Sequence, residues 1–219
     1  MKFFSYDSKF SQLLLKLCYS CYLNLLWFVC SLPIFTIGAS TTALYYASLK
    51  LIRGEEGSSV AGMFFRSFRE NFRQATVLWL ILLAAGLFLG ADGYILYHLR
   101  AGSSGTMAVV WTLLLAVLIA GAVIYVIVLL YTFPLVASVS NTTLAMLKNA
   151  FLIGTHYLFA TILVFAVHFA MFFAVVALFT PLLIFGEGLC AMLSAWLLNN
   201  VLAACAYDPE AEEREDEEP

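Results

Sequence analysis

Few side chains in this sequence could do chemistry, and most of them sit in apolar surroundings. His168 lies between Val167 and Phe169, deep in a long apolar stretch. An ionisable residue inside a membrane segment is where function would show, and a proton relay would need a carboxylate on a facing helix. Asp92 and Glu187 are the acids nearest the apolar stretches outside the C-terminal tail. Both are expected near the outer surface, within reach of water, so His168 reads as a hydrogen-bonded packing residue. His98 and His156 fall near segment ends and read as interface residues. Cys18 and Cys21 form a C-x-x-C, but neither a second cysteine pair nor a histidine pair lies nearby to complete a zinc site. In a membrane helix they act as small apolar residues. No metal or other cofactor is expected. The sequence holds no H-E-x-x-H, G-x-S-x-G or phosphate-binding loop, and an enzyme is not expected.

Hydroxyls cluster around one interruption. Pro33 removes a backbone donor and Gly38 tolerates conformations other residues avoid, so Pro33, Thr36, Gly38, Ser40, Thr41 and Thr42 mark a candidate helix break. Backbone groups freed at such a break can bind a ligand, or the hydroxyls can satisfy the break themselves. Asn24, Asn199 and Asn200 are candidates for hydrogen bonds between helices.

The elements that hold these residues follow from composition. Of 219 residues, 63% are hydrophobic and 11% charged, with a mean hydropathy of +0.94. Soluble domains run near half apolar and a quarter charged. No charge occurs in the 47 residues between Arg100 and Lys148, nor in the 38 between Lys148 and Glu187. About 20 helical residues cross a bilayer's apolar core. The chain therefore reads as an all-α, polytopic transmembrane bundle, and a soluble enzyme, a secreted disulfide scaffold and a nucleic-acid binder are excluded. About six segments are expected, at 13–32, 39–52, 75–97, 107–133, 151–180 and 189–206. The second is short and hairpin-like after Pro33, and a turn at Gly186-Glu187-Gly188 precedes the sixth. Together they make one integral membrane domain over 1–207. Residues 208–219 carry eight acids and one base and read as a disordered, acidic cytoplasmic tail.

Residues 58–74 differ from the segments. Phe64, Phe65, Phe68 and Phe72 recur at helical spacing on one side, and Arg66, Arg69 and Arg73 occupy another. That pattern predicts an amphipathic helix lying at the interface. Phe64, Arg66, Phe68, Arg69, Phe72 and Arg73 are thus candidates for contact with the lipid surface or with a partner protein. Gly86 and Gly90 form a G-x-x-x-G that lets helix backbones approach closely. If six segments reverse the chain, ten of the eleven bases share a side and only Arg100 lies opposite. By the positive-inside rule both termini are then cytoplasmic.

The stretch from Asn24 to Arg73 resembles a known family. Its carriers are Asn24-Leu25-Leu26-Trp27, Ser31-Leu32-Pro33, Thr36 through Tyr45, Arg53-Gly54-Glu55-Glu56-Gly57, Phe64-Phe65-Arg66-Ser67-Phe68 and Asn71-Phe72-Arg73-Gln74-Ala75. These resemble the YesL-like family of bacterial integral membrane proteins, a domain of unknown function. The resemblance implies a bacterial cytoplasmic membrane and an association with carbohydrate uptake, and it supplies no catalytic residues. Two functions are carried forward, the first favoured because polar residues crowd near segment ends while mid-membrane positions are mostly Leu, Val, Ala and Phe. One is a non-catalytic accessory or regulatory partner of a carbohydrate uptake system, contacting the lipid bilayer and a sugar-import permease or a second copy of itself. The other is a small solute carrier or channel, whose polar groups should meet on facing helices.

Overall fold

A computed structural model of the chain describes residues 9–55, 59–178 and 183–206. Among the described residues the fold is all-helical. It comprises α1 (Lys9–Ser31), a 3-10 turn (Ile34–Thr36), α2 (Ile37–Arg53), α3 (Val60–Ala101), α4 (Gly105–Ser138), α5 (Thr143–His156), α6 (Leu158–Phe173) continued by a π turn (Ala174–Leu178), and α7 (Leu183–Ala206). Four helical stretches, in α1, α3, α4 and α6 with its π turn, are long and apolar enough to cross a membrane. The acidic tail falls outside the described residues.

Local chemistry sets the ends. Pro33 stops α1, and the Thr36 hydroxyl lies 2.6 Å from both Cys30 O and Pro33 O, where its single O–H is shared at the corner, while Thr36 N also donates to Pro33 O. At the other end of α2, Gly54 adopts φ 72° and its N–H returns to Lys50 O, the left-handed cap that favours glycine. Lys50 and Arg53 occupy this last turn, where the helix dipole favours cations. Ser59 caps α3, its Oγ accepting from Gly62 N at 3.1 Å.

α2 is the centre of the fold. Eleven of its 17 residues are buried, including Ala39, Ala43, Ala47 and Ser48, whose small side chains let neighbouring helices come close. It folds back on α1, where Trp27 Nε1 donates to Thr41 Oγ1 at 3.0 Å. It runs against α3, whose Trp79 Nε1 donates to Ile34 O in the 3-10 turn ahead of α2 at 2.8 Å. α7 lies alongside, tied by Arg53 Nε to Asn199 Oδ1 at 2.8 Å. α3 and α4 then form a long antiparallel hairpin. Tyr125 Oη donates to Leu82 O at 3.0 Å, and near the tip Arg100 Nε donates to Thr112 Oγ1 at 2.6 Å.

Several expected boundaries differ. The amphipathic stretch 58–74 is not a separate interfacial helix. Its described part forms the first turns of α3, which runs unbroken for 42 residues, about 63 Å at ~1.5 Å per residue. No helix breaker separates Phe72 from the apolar run that follows, so backbone hydrogen bonding carries straight through. The 39–52 segment appears as α2, which at 17 residues is not among the helices long enough to cross. The 151–180 segment is divided at Tyr157 into α5 and α6. The sixth helix starts at Leu183, ahead of the expected Gly186–Gly188 turn. Of the G-x-x-x-G pair only Gly86 meets the partner helix: an added Cβ would lie 2.6 Å from Tyr125 Oη, whereas nothing approaches Gly90.

Candidate functional site

Six helices converge on one cavity of ≈ 210 Å³. α1 supplies Trp27, α2 supplies Ile37, Thr41 and Tyr45, and α3 supplies Trp79. α4 adds Leu129, Leu130 and Phe133, α6 adds His168, and α7 adds Glu187. Thr41 and Tyr45 are four residues apart, one helical turn, and therefore share a face of α2.

Glu187 reaches this place because α7 begins early and packs tightly. The flanking glycines are contact points within the helix and do not form a turn. A Cβ at Gly186 would lie 2.9 Å from Met171 Sδ on α6, and one at Gly188 would lie 2.8 Å from Asn24 Cβ on α1. Gly188 N also donates to Asn24 Oδ1 at 2.6 Å. The two glycines let α7 press against α1 and α6 on either side of Glu187. Glu187 on α7 and His168 on α6 line the same cavity.

The cavity's hydrogen-bonding capacity is set by bonds already made. Both indole N–H groups are used within the protein, one on Thr41 and one on Ile34. His168 Nδ1 lies 2.9 Å from Val164 O. A carbonyl can only accept, so Nδ1 carries a hydrogen in this bond. The cavity wall thus holds the Glu187 carboxyl, the His168 ring, two hydroxyls and several aromatic rings. Among the described residues no lysine or arginine lines it and no ion pair to Glu187 occurs. An uncompensated carboxylate in such apolar surroundings is costly.

The expected break residues divide between packing and cavity. Pro33 and Thr36 build the corner between α1 and α2, and Ser40 Oγ donates back to Thr36 O at 3.1 Å. Gly38 marks the tightest approach to α3 and α4, since an added Cβ would lie 2.6 Å from Trp79 Cβ and 3.0 Å from Phe133. Thr42 is buried. Only Thr41 faces the cavity.

The Phe/Arg surface is likewise split. Phe64 is fully buried in the core, so it cannot contact lipid or a partner, and Phe68 is partly buried against it with ring centroids 6.3 Å apart. Phe65 and Phe72 remain exposed, as do Arg66, Arg69 and Arg73. Arg66 pairs with Glu70 at 3.0 Å. Cys18 and Cys21 are exposed free thiols.

Tyr45, Trp27, Trp79 and Glu187 are the site residues that sequence reasoning missed. For Tyr45 the signal was its one-turn spacing from Thr41. No local signal joined Glu187 to His168.

Comparison with known proteins places the resemblance where the carrier residues lie. The family described as "Protein of unknown function, DUF624" matches residues 21–93. Uncharacterized protein YesL of Bacillus subtilis (strain 168) is 31% identical over 116 residues, which cover 52% of this chain and 51% of YesL. The chain therefore spans about half the length of the curated relative it matches. No solved structure matches it. The matched family segment contains Trp27, Thr41, Tyr45 and Trp79, whereas His168 and Glu187 lie outside it.

Proposed function

We propose that this YesL-like membrane protein is a small solute carrier, binding its solute without a chemical step in the cavity where six helices meet. One observation carries the reading. Thr41 and Tyr45 from α2, His168 from α6 and Glu187 from α7 open onto a single cavity walled by α1, α3 and α4. Polar groups on facing helices are what a carrier needs, and an ionisable group such as Glu187 within an apolar bundle marks a functional site more than a packing contact. In this proposal six segments cross or enter the bacterial cytoplasmic membrane with both termini cytoplasmic. The one-sided distribution of the bases supports that orientation. The test is uptake by liposomes containing purified protein, offered labelled solutes of different charge. Thr41→Val is expected to change the uptake rate of the solute transported. Liposomes that accumulate no more of any solute than protein-free ones would reject the carrier.

A second reading has its own support. Arg66, Arg69 and Arg73 are exposed along the first turns of α3 beside Phe65 and Phe72. Among the described residues only Arg66 of the three is in an ion pair. A face of this kind suits an accessory partner of a sugar-import permease. Replacing the three arginines with alanine is expected to lower permease recovery in a pull-down while the protein stays in the membrane. Unchanged recovery would count against this surface.

A further inference from the structure

The charge and wall chemistry of the cavity narrow the class of solute. The only formally charged side chain among its lining residues is the Glu187 carboxylate. With no Lys or Arg among the described lining residues, no permanent cation compensates a bound anion, and bringing one beside Glu187 would add repulsion at low dielectric. A neutral polyol would find few donors, because the Trp27 and Trp79 N–H groups are already spent on Thr41 and Ile34. It would also leave the carboxylate uncompensated. A small cation satisfies both the carboxylate and the aromatic wall. The rings of Trp27, Tyr45, Trp79 and Phe133 surround the same space, and aromatic faces attract cations most strongly where water is excluded. Size fits as well: a cavity of about 150 Å³ already accepts benzene, and this one is ≈ 210 Å³.

We propose that the cavity binds a small organic ammonium ion, with Glu187 as its counter-charge and the aromatic wall as its second contact. The proposal rests on the ligand-binding reading above and adds the charge of the ligand. An ammonium group brings N–H donors to the Glu187 carboxylate, which can only accept. A bare metal ion would need several more oxygen ligands than Glu187, Thr41 and Tyr45 provide.

The test uses the protein's own fluorescence. Of its four tryptophans, Trp27 and Trp79 line the cavity and Trp111 and Trp196 do not. In a Trp111→Phe/Trp196→Phe background in detergent, propylammonium chloride is titrated against propanol, sodium propionate and sodium chloride. Saturable quenching by propylammonium alone is expected. Glu187→Gln should raise its half-saturation concentration at least tenfold, and Glu187→Asp should keep it within a few-fold. Matching gel-filtration profiles show that the variants fold. If Glu187→Gln does not fold, the charge preference of the unsubstituted cavity still decides the matter. Quenching by propanol equal to that by propylammonium, or Glu187→Gln binding as tightly as the parent, would overturn the ammonium assignment and leave the carrier reading standing. Binding of propylammonium without liposome uptake would instead reject the carrier and keep the site.

Discussion

The two ends of the α3–α4 hairpin are built on opposite principles. Where α3 begins and α4 finishes, the hairpin is wrapped by α1, α2 and α7, and every buried residue of the pair lies there. These are Met63, Phe64, Ser67, Ala75, Leu78 and Leu82 on α3 and Tyr131 through Val136 on α4. Between residues 83 and 130 not one side chain is buried. Leu87, Phe88, Leu113 and Val117 are each more than 60% exposed, and yet this is the more apolar region. In water such a surface would drive aggregation; in hydrocarbon it costs nothing. Apolarity therefore does not report where this protein's core is. The core follows the small and polar residues, such as Gly38, Ser40, Ser48 and Asn24, because helices inside a bilayer associate through close packing and hydrogen bonds and gain little from hydrophobicity.

The largest test of that contrast is steric. Gly38→Val places side-chain atoms against Trp79, Phe133 and the Ala75 carbonyl, and should cost about 3 kcal/mol or more. The expected outcome is loss of the monodisperse gel-filtration peak or a sharp fall in Tm. Gly90→Val, in the open distal hairpin, should leave both unchanged. Equal damage at the two positions would break the comparison.

Hydrogen bonds give a smaller separation. Asn24→Ala leaves the buried Gly188 N–H without its Oδ1 acceptor, a loss of about 1–3 kcal/mol. Thr112→Val removes the acceptor for Arg100 at the exposed hairpin tip and should cost no more than about 0.5 kcal/mol. Thermal unfolding of the two variants in one detergent reads the difference directly.

The smallest effect belongs to the α2–α3 loop, outside both regions. Glu55 hydrogen-bonds and pairs with Lys50, which holds its carboxyl below the ordinary range. Because the folded-state pKa is lowered, this stabilisation is present above the unfolded pKa and is lost as pH falls through the folded one. Both side chains are partly exposed, so Glu55→Gln should change stability by under about 1 kcal/mol at neutral pH. The difference from the parent should vanish in acid. A larger, pH-independent loss would mean that the loop belongs to the core.

Much of the fold was readable along the chain, and the reason is locality. The Pro33 stop, the Gly54 cap and the run of apolar residues through α4 each depend on a few neighbours. The amphipathic stretch at 58–74 shows where such reading stops. Its arginines are exposed as the pattern implies, but Phe64 is buried in the core, because periodicity identifies a face and cannot say whether lipid or protein covers it. Glu187 shows the same limit. Beside two glycines it reads as part of a turn, whereas those glycines are the points at which α1 and α6 close on α7.

By itself, then, the sequence determined that the chain is all-helical with several helices apolar enough to cross a membrane, where α1 and α2 stop, and that the Asn24–Arg73 stretch resembles YesL. These are sums over adjacent residues. Only the tertiary structure decided that Trp27, Thr41, Tyr45, Trp79, His168 and Glu187 share one cavity. Residues up to 160 positions apart meet there through the register and crossing of six helices. That register is fixed by close contacts at Gly38, Gly186 and Gly188, where the absence of a side chain says that something must come near and leaves open what it is.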